Sequence, residues 1–317
     1  MIRRRRWVTS GIALAAHRRV AVVLAALLIV AGCGGIASPS VAPVSPASSA
    51  PSPTTAATAA PTQAPSAAPT PTVVPSAEPE LMVVAVGDSI PFNSRDDCPG
   101  CTGFVDRYAD DLRAATGKTV GVRNLSQHNG LQVQGLLDEL GAGSERAQAL
   151  SDADAIIIGI AHNDTPWNVD DDACDSAGGD SPDWSKYTAA CIATEVKRYT
   201  PKYEAVFERI AEMRAGKPTV LRAINRYNDW NGWPGHPLPP EGVAATAAAI
   251  VAWNEMICGA AEANGFACAD ISTAFNGKDG TQPSGELLAD DYTHPSDKGN
   301  EVIAGVLAKL GFEPLAP

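Results

Sequence analysis

Three side chains far apart in the 317-residue chain have the types needed to make a nucleophile: Ser89 in Gly87-Asp88-Ser89, and Asp291 and His294 in Asp291-Tyr292-Thr293-His294. A serine hydroxyl attacks poorly until a base takes its proton. Imidazole titrates near neutral pH, so His294 can take that proton and return it to a leaving group. Asp291, three residues earlier, can accept a hydrogen bond from the ring's other nitrogen, which fixes the tautomer and stabilises the imidazolium. Asp290 is the alternative for that role. Each residue also has an ordinary local use: Ser as a helix N-cap, Asp and Asn in turns, His ahead of Pro295. Only their meeting in space turns residue types into chemistry.

The elements that must bring them together are legible as hydrophobic runs and helical spacings. Leu81 to Val86 is a short apolar run ended by Gly87, the mark of a strand buried on both faces. Further strands are expected at about 119–125, 155–160, 219–224 and 266–271. Helices are expected at 104–115, about 131–140, roughly 195–215, about 243–264, and after Pro295. Strands alternating with helices imply a parallel central sheet covered on both faces, a three-layer α/β/α sandwich. In such sheets a site forms beyond the carboxyl ends of the strands. Gly87-Asp88-Ser89, Asn129-Gly130 and Asn163-Asp164 follow the first three strands, and Asp291 and His294 precede the last helix. All four segments should therefore reach one rim.

At this point the chain resembles the SGNH (GDSL-type) hydrolase family. Gly87-Asp88-Ser89-Ile90 resembles its first block, Gly130 its second, Asn163-Asp164 its third, and Asp291-Tyr292-Thr293-His294 its last. The match spans most of residues 81–317, with the blocks in the expected order. It departs in two places: Ala161 stands where the third block usually has Gly, and His128 and Asn129 replace the usual small neighbours of Gly130. An extra methyl at Ala161 is tolerated unless the backbone there needs a positive φ.

The resemblance implies a flavodoxin-like fold, and Ser89, His294 and Asp291 as a catalytic triad. It also implies that the N–H groups of Ser89 and Gly130 and the side-chain amide of Asn163 form an oxyanion hole. An amide suits that place better than a carboxylate, which would repel the oxyanion. Asp88 and Asp164 are expected to brace the loops. The expected activity is hydrolysis of carboxylic esters through an acyl-enzyme, on short-chain or carbohydrate O-acyl esters in preference to long-chain lipids. A lipase of the same family, or a non-catalytic cell-envelope binding protein on the same scaffold, are the alternatives. No cofactor and no metal are expected. The segment Arg226 to Trp233 follows the fourth strand and, with Trp167, should overhang the rim as aromatic surface for a sugar ring or an acyl chain.

Other motifs carry less. Gly117-Lys118-Thr119 imitates the tail of a phosphate loop but leads into a strand. No Gly-x-Ser-x-Gly surrounds Ser89, which argues against the α/β-hydrolase fold. Asp170, Asp171 and Asp172, with Asp175 and Asp180, form a solvated acidic loop or a Ca²⁺ site.

The N-terminus reads as an export signal. An arginine-rich start precedes twelve residues without a polar side chain, Val20 to Ala31, too short to span a bilayer but suited to a signal-peptide core. Val30-Ala31-Gly32-Cys33 resembles a bacterial lipobox, with Cys33 as the lipidated residue. Residues 1–33 are thus expected to be signal and anchor, 34–80 a disordered linker, and 81–317 the hydrolase-like domain. Residues 35–80 hold 11 of the 25 prolines and no charge before Glu78. At roughly 3.1 Å per residue such a polyproline-like tether reaches on the order of 140 Å. The expected location is the extracytoplasmic face of a bacterial membrane, held there as a monomer by lipid.

Beyond Cys33 six cysteines remain, an even number in an exported chain, which reads as disulfides. Sequence leaves the pairing open, with nearest neighbours expected: Cys98 with Cys101, Cys174 with Cys191, Cys258 with Cys268. Cys98-Pro99-Gly100-Cys101 has redox-motif spacing but lies in a loop rather than at a helix start, so a structural staple is preferred.

Composition sets the outer bounds. At 45% hydrophobic and 19% charged the chain can bury a core. Acidic residues number 36 and basic ones 24, for a net charge of −12. Six of the basic residues precede Cys33, where no acidic residue occurs, so the remainder sets 18 basic against 36 acidic groups. That surface repels phosphate backbones, and no nucleic-acid partner is expected.

Overall fold

The computed structural model describes residues 78–168, 174, 182–235 and 237–316. The expected signal segment, Cys33 and nearly all of the linker lie outside the described residues, as do Asp170, Asp171, Asp172, Asp175 and Asp180.

Five strands, β1 (Leu81–Gly87), β2 (Val120–Asn124), β3 (Ala155–Gly159), β4 (Val220–Ile224) and β5 (Ala267–Ala269), form one parallel sheet in the order β2-β1-β3-β4-β5. Central β3, Ala-Ile-Ile-Ile-Gly, is buried throughout, whereas edge strand β2 is exposed over its last three residues. Successive side chains leave opposite faces of a strand, so each central strand feeds two cores. Val84, Val86, Ile156 and Ile158 pack beneath α3 (Val133–Glu139), α4 (Glu145–Asp152), α5 (Ala189–Met213) and α6 (Pro240–Ala263). Val83, Ala85, Ala155 and Ile157 pack against α2 (Phe104–Thr116), α7 (Ile271–Asn276) and α8 (Asp297–Ala308). The expected three-layer sandwich is therefore present. Helix α6 is long and apolar enough to cross a membrane, but more than half of that apolar stretch is buried in the domain.

Several elements differ from expectation, among them the short helices α1 (Ser89–Phe92) and α7, which the sequence did not announce. The fifth strand is only three residues long, because the Asp270 carboxylate accepts from Thr273 N at 3.0 Å and starts α7 where the apolar run suggested more strand. Helix α5 begins six residues before the expected start, capped by Thr188 Oγ1 accepting from Cys191 N. Helix α4 was not expected; Ser144 caps it by accepting from Ala147 N at 3.1 Å.

The strand order reverses direction between β1 and β3, and a cleft opens outside the carboxyl ends at such a switch point. Gly87 ends β1 with φ of 153°, and a Cβ there would lie 1.8 Å from Gly159 O at the end of β3. The two strand ends thus meet backbone to backbone, which only glycine allows.

All three expected disulfides are present, joining Cys98 to Cys101, Cys174 to Cys191 and Cys258 to Cys268. The first closes the loop between α1 (Ser89–Phe92) and α2, the second ties the segment after β3 to α5, and the third ties α6 to β5.

Candidate active site

Ser89 opens the four-residue helix α1 directly after β1, and Asp88 is its N-cap. Asp88 is fully buried, and its two oxygens accept from three backbone donors: Ile90 N at 3.0 Å, Ala161 N at 3.0 Å and His162 N at 3.1 Å. Burial pushes its carboxyl above the usual range, opposed by those donors and by Arg226. One side chain therefore fastens the turn after β1 to the loop after β3. Ala161, where the third block usually has Gly, does not have a positive φ and donates to Asp88, so the extra methyl is accommodated.

The loop after β3 is held a second time by Asp164. Its carboxylate accepts from Val133 N at the start of α3 (3.0 Å to Oδ2) and from Tyr203 Oη in α5 at 3.2 Å. Burial, opposed by these two donors, raises its pKa to about 7. Both aspartates are thus loop braces, as expected. Between them Asn163 donates one amide N–H to Leu131 O at 3.0 Å. A carboxamide carries two N–H donors, so the second is left for the cleft that Asn163 lines.

His294 comes from the opposite side. An antiparallel bridge from Leu288 to Pro295 closes its loop, with Ala289 N donating to His294 O at 2.8 Å. Inside, Asp291 Oδ1 accepts from the backbone N–H groups of Thr293 and His294, both at 3.0 Å. The turn forces Tyr292 to φ of 58°, an uncommon conformation for a bulky residue and the kind of local strain that clusters at functional sites. Tyr227, in the loop after β4, donates from Oη to Thr293 O at 2.7 Å and braces the turn from below.

These supports bring the sequence-derived residues together. His294 Nε2 is 2.8 Å from Ser89 Oγ, and His294 Nδ1 is 2.6 Å from Asp291 Oδ2. A carboxylate only accepts, so Nδ1 carries the ring proton and Nε2 receives the Ser89 hydroxyl. Burial disfavours charge on His294, but the hydrogen bond and charge of Asp291, with the charges of Asp97 and Asp88, outweigh it and hold its pKa above the ordinary imidazole range. Burial of Asp291 is likewise outweighed by its three hydrogen bonds, and its pKa lies below the usual value. Asp290 has no hydrogen bond or ion pair to His294. Gly130 has φ of 73° in the loop after β2 but is not among the residues lining the cleft. Two residues before it, the His128 ring is 5.4 Å from that of His294.

The cleft has a volume of about 380 Å³ and is lined by Ser89, Asn163 and His294 together with Trp167, Trp230 and Trp233. The segment after β4 thus supplies part of the wall, as expected. Trp230 packs against Trp167 at 6.2 Å and Trp184 at 5.9 Å, with Trp233 6.1 Å away. Behind them Arg226 is wholly buried, 2.9 Å from Asp229 and 5.4 Å from the Trp167 ring centre. His162, Asp229, Tyr292 and Thr293 complete the lining. Burial, with repulsion from Arg226 and His294, holds the His162 pKa far below its usual value, so that ring is neutral.

Sequence reading did not find Asp97. Its Oδ2 lies 3.4 Å from His294 Nδ1 and 2.9 Å from His128 Nε2. Nothing in the spacing of an aspartate next to a cysteine pair signals that the Cys98–Cys101 loop folds back over the histidine.

Residues 85–302 match the GDSL-like Lipase/Acylhydrolase family, and the chain belongs to that family. No curated protein matches it in sequence. The lipase Lip_vut3 from a goat rumen metagenome has a similar structure, with 20% identity, 74% of this chain and 99% of that one covered, and a TM-score of 0.58. A catalytic mutant of Axe2, an acetylxylan esterase from Geobacillus stearothermophilus, is 17% identical over 75% of this chain and 97% of that one, with a TM-score of 0.48. Phospholipase A1 from Streptomyces albidoflavus is 17% identical over 72% and 98%, with a TM-score of 0.47. The shared architecture with the first is that of the SGNH fold, and the chain is an ester hydrolase of this family.

Proposed function

We propose that this member of the GDSL-like family is an extracytoplasmic serine esterase acting through Ser89, His294 and Asp291, with short-chain or carbohydrate O-acyl esters as its substrates. The observation that carries the reading is the unbroken chain Ser89 Oγ to His294 Nε2 at 2.8 Å and Nδ1 to Asp291 Oδ2 at 2.6 Å.

In the proposed reaction Ser89 Oγ attacks the ester carbonyl carbon as His294 Nε2 takes its proton. The ring becomes imidazolium beside Asp291, which balances that charge without taking the proton. The carbonyl oxygen, now negative, is met by the Asn163 amide and the N–H of Ser89, which as the first residue of its turn has no intrahelical acceptor. Gly130 N is the third donor that the family resemblance implies, although Gly130 lies outside the cleft lining and no step of this proposal depends on it. The imidazolium then gives its proton to the departing alcohol, leaving Ser89 acylated. Water, deprotonated by His294, attacks the acyl carbon, and Ser89 leaves with the proton returned.

The flat faces of Trp230 and Trp233 and the polar Asp229 at the same cleft support a sugar-borne ester. Aromatic faces stack on the apolar side of a sugar ring, and few polar groups are needed to orient it. Hydrolysis rates across acyl lengths test this: a fall beyond about four carbons fits a short pocket, whereas rates that climb with chain length mean a lipase. Ser89→Ala should abolish turnover and labelling by a fluorophosphonate probe, with the fold intact by circular dichroism. Near-wild-type turnover in that variant would refute the assignment, and a wild type that takes no probe would favour a binding protein.

Attachment through a lipid on Cys33 belongs to the same proposal, and rests on the Val30-Ala31-Gly32-Cys33 motif and the proline-rich stretch behind it. Radiolabelled palmitate should enter the wild-type chain and not Cys33→Ser.

A further inference from the structure

We infer that Asp97, His128 and His294 form a site for a divalent cation of the zinc type, and that filling it switches the hydrolytic site off. The second half rests on the function proposed above; the first stands on geometry alone.

One ligand atom from each residue lies within 4.8 Å of the other two. Asp97 Oδ2 is 2.9 Å from His128 Nε2 and 3.4 Å from His294 Nδ1. Zinc binds nitrogen and oxygen at about 2.0–2.1 Å in a tetrahedron, which sets its donors roughly 3.3 Å apart. Two edges of such a site are therefore already near their bound length.

A second observation points the same way. Asp97 Oδ2 is buried and makes no hydrogen bond, its contacts being the two ion-pair distances to the imidazole nitrogens. A buried carboxylate oxygen with no hydrogen bond is costly, and native structures rarely leave one. A cation placed between the three groups would satisfy it.

The ligands are held from outside the cluster. Asp97 precedes the Cys98–Cys101 disulfide, and its loop is tied down by Asp96 N donating to Ser94 Oγ at 3.1 Å and Cys98 N donating to Ser94 O at 3.2 Å. The His128 ring stacks on Phe92 at 5.8 Å and is 39% exposed, which leaves the cation a way in from solvent. Two imidazoles and one carboxylate suit zinc and its first-row neighbours, whereas Ca²⁺ and Mg²⁺ prefer oxygen alone. Asp291 Oδ2 accepts from the same Nδ1 at 2.6 Å, a hydrogen bond that the cation displaces on binding.

The chemical consequence follows from the tautomer. A cation on Nδ1 takes the lone pair of that nitrogen, so the ring's single proton moves to Nε2. Nε2 then donates toward Ser89 rather than accepting from it. The base is lost without any bond being made to Ser89, and a chelator restores it.

The test is titration of zinc chloride into the full-length protein by calorimetry, beside ester hydrolysis and fluorophosphonate labelling of Ser89. Wild type should bind one Zn²⁺ per chain, ignore MgCl₂, and lose both activities as the site fills. His128→Ala should hydrolyse like wild type without zinc but need at least about tenfold more to be inhibited, since removing even an outer-shell partner costs that much. Asp97→Asn should weaken binding similarly. No heat of binding up to about 1 mM zinc, or equal affinity in wild type and His128→Ala, overturns the site. Stoichiometric binding with hydrolysis untouched overturns the switch. A zinc-free wild type with no hydrolysis sinks the proposed function instead, and calorimetry still decides the site.

Discussion

The hydroxyl of Tyr227 donates to the carbonyl of Thr293 at 2.7 Å, so the loop after β4 carries the turn that presents His294. Tyr227 is itself wholly buried, stacked on Phe275 at 4.4 Å. Tyr227→Phe keeps the stack and deletes only the donor, leaving one carbonyl unpaired. The expected result is a stability loss of about 1–3 kcal/mol and a fall in kcat with KM nearly unchanged. A KM effect with constant kcat would mean that Tyr227 serves substrate binding instead.

Asn163 is oriented by Leu131 O and is one of the residues lining the cleft. Asn163→Ala removes a donor that matters only once the carbonyl oxygen is negative. A loss of about 10²–10³ in kcat is expected, roughly 2.7–4 kcal/mol of transition-state stabilisation. Loss confined to KM would remove Asn163 from the oxyanion hole.

The pH profile should report His294. Because Asp291 and its neighbours hold the ring's pKa above the ordinary value, the free base appears only as pH rises past that raised pKa. Activity is therefore expected to fall on acidification with a midpoint above about 6.5, the unperturbed histidine value. Asp291→Asn removes the charge and disfavours the working tautomer, so kcat should drop about 10⁴-fold and the remaining limb should move to lower pH. An unmoved limb in that variant would assign the titration to another group.

Asp164 gives a stability signature of opposite origin. Its carboxyl titrates at about 7 in the folded protein, against about 3.9 for a free aspartate. Between those values the native state holds a proton that the unfolded chain has released. The associated stability is complete below about pH 4 and is lost as pH climbs through 7. Asp164→Asn stays neutral and can still accept from Val133 and Tyr203. Urea unfolding should show wild type losing about 2–4 kcal/mol relative to the variant between pH 4 and pH 8. Parallel curves would mean that Asp164 is ionised throughout.

What the sequence discloses depends on how local the physics is. The run of Ile156, Ile157 and Ile158 announces a doubly covered strand, and Asp291 and His294 are a pair because they share one turn. The nearest-neighbour cysteine pairing is also a local matter. The short fifth strand was hidden because Phe266 to Ala269 is apolar, with Ile271 beyond, whether or not Asp270 caps a helix. Asp97 was hidden more deeply. Its relation to His294 spans nearly two hundred residues and depends on how one cross-linked loop lies over another, which no periodicity records. Asp88 and Asp164 could be named as braces, but not what each one holds.

The single carboxylate of Asp88, gripping Ile90, Ala161 and His162 at once, sets a common origin for the attacking oxygen and the amide beyond β3. Breathing of the sheet or of the outer helices would carry both along together, keeping their separation constant. Trp230 and Trp233, which follow β4, are not among the residues that Asp88 holds. An engineer could therefore remodel residues 230 and 233 to admit a different ester while the reacting centre keeps its alignment.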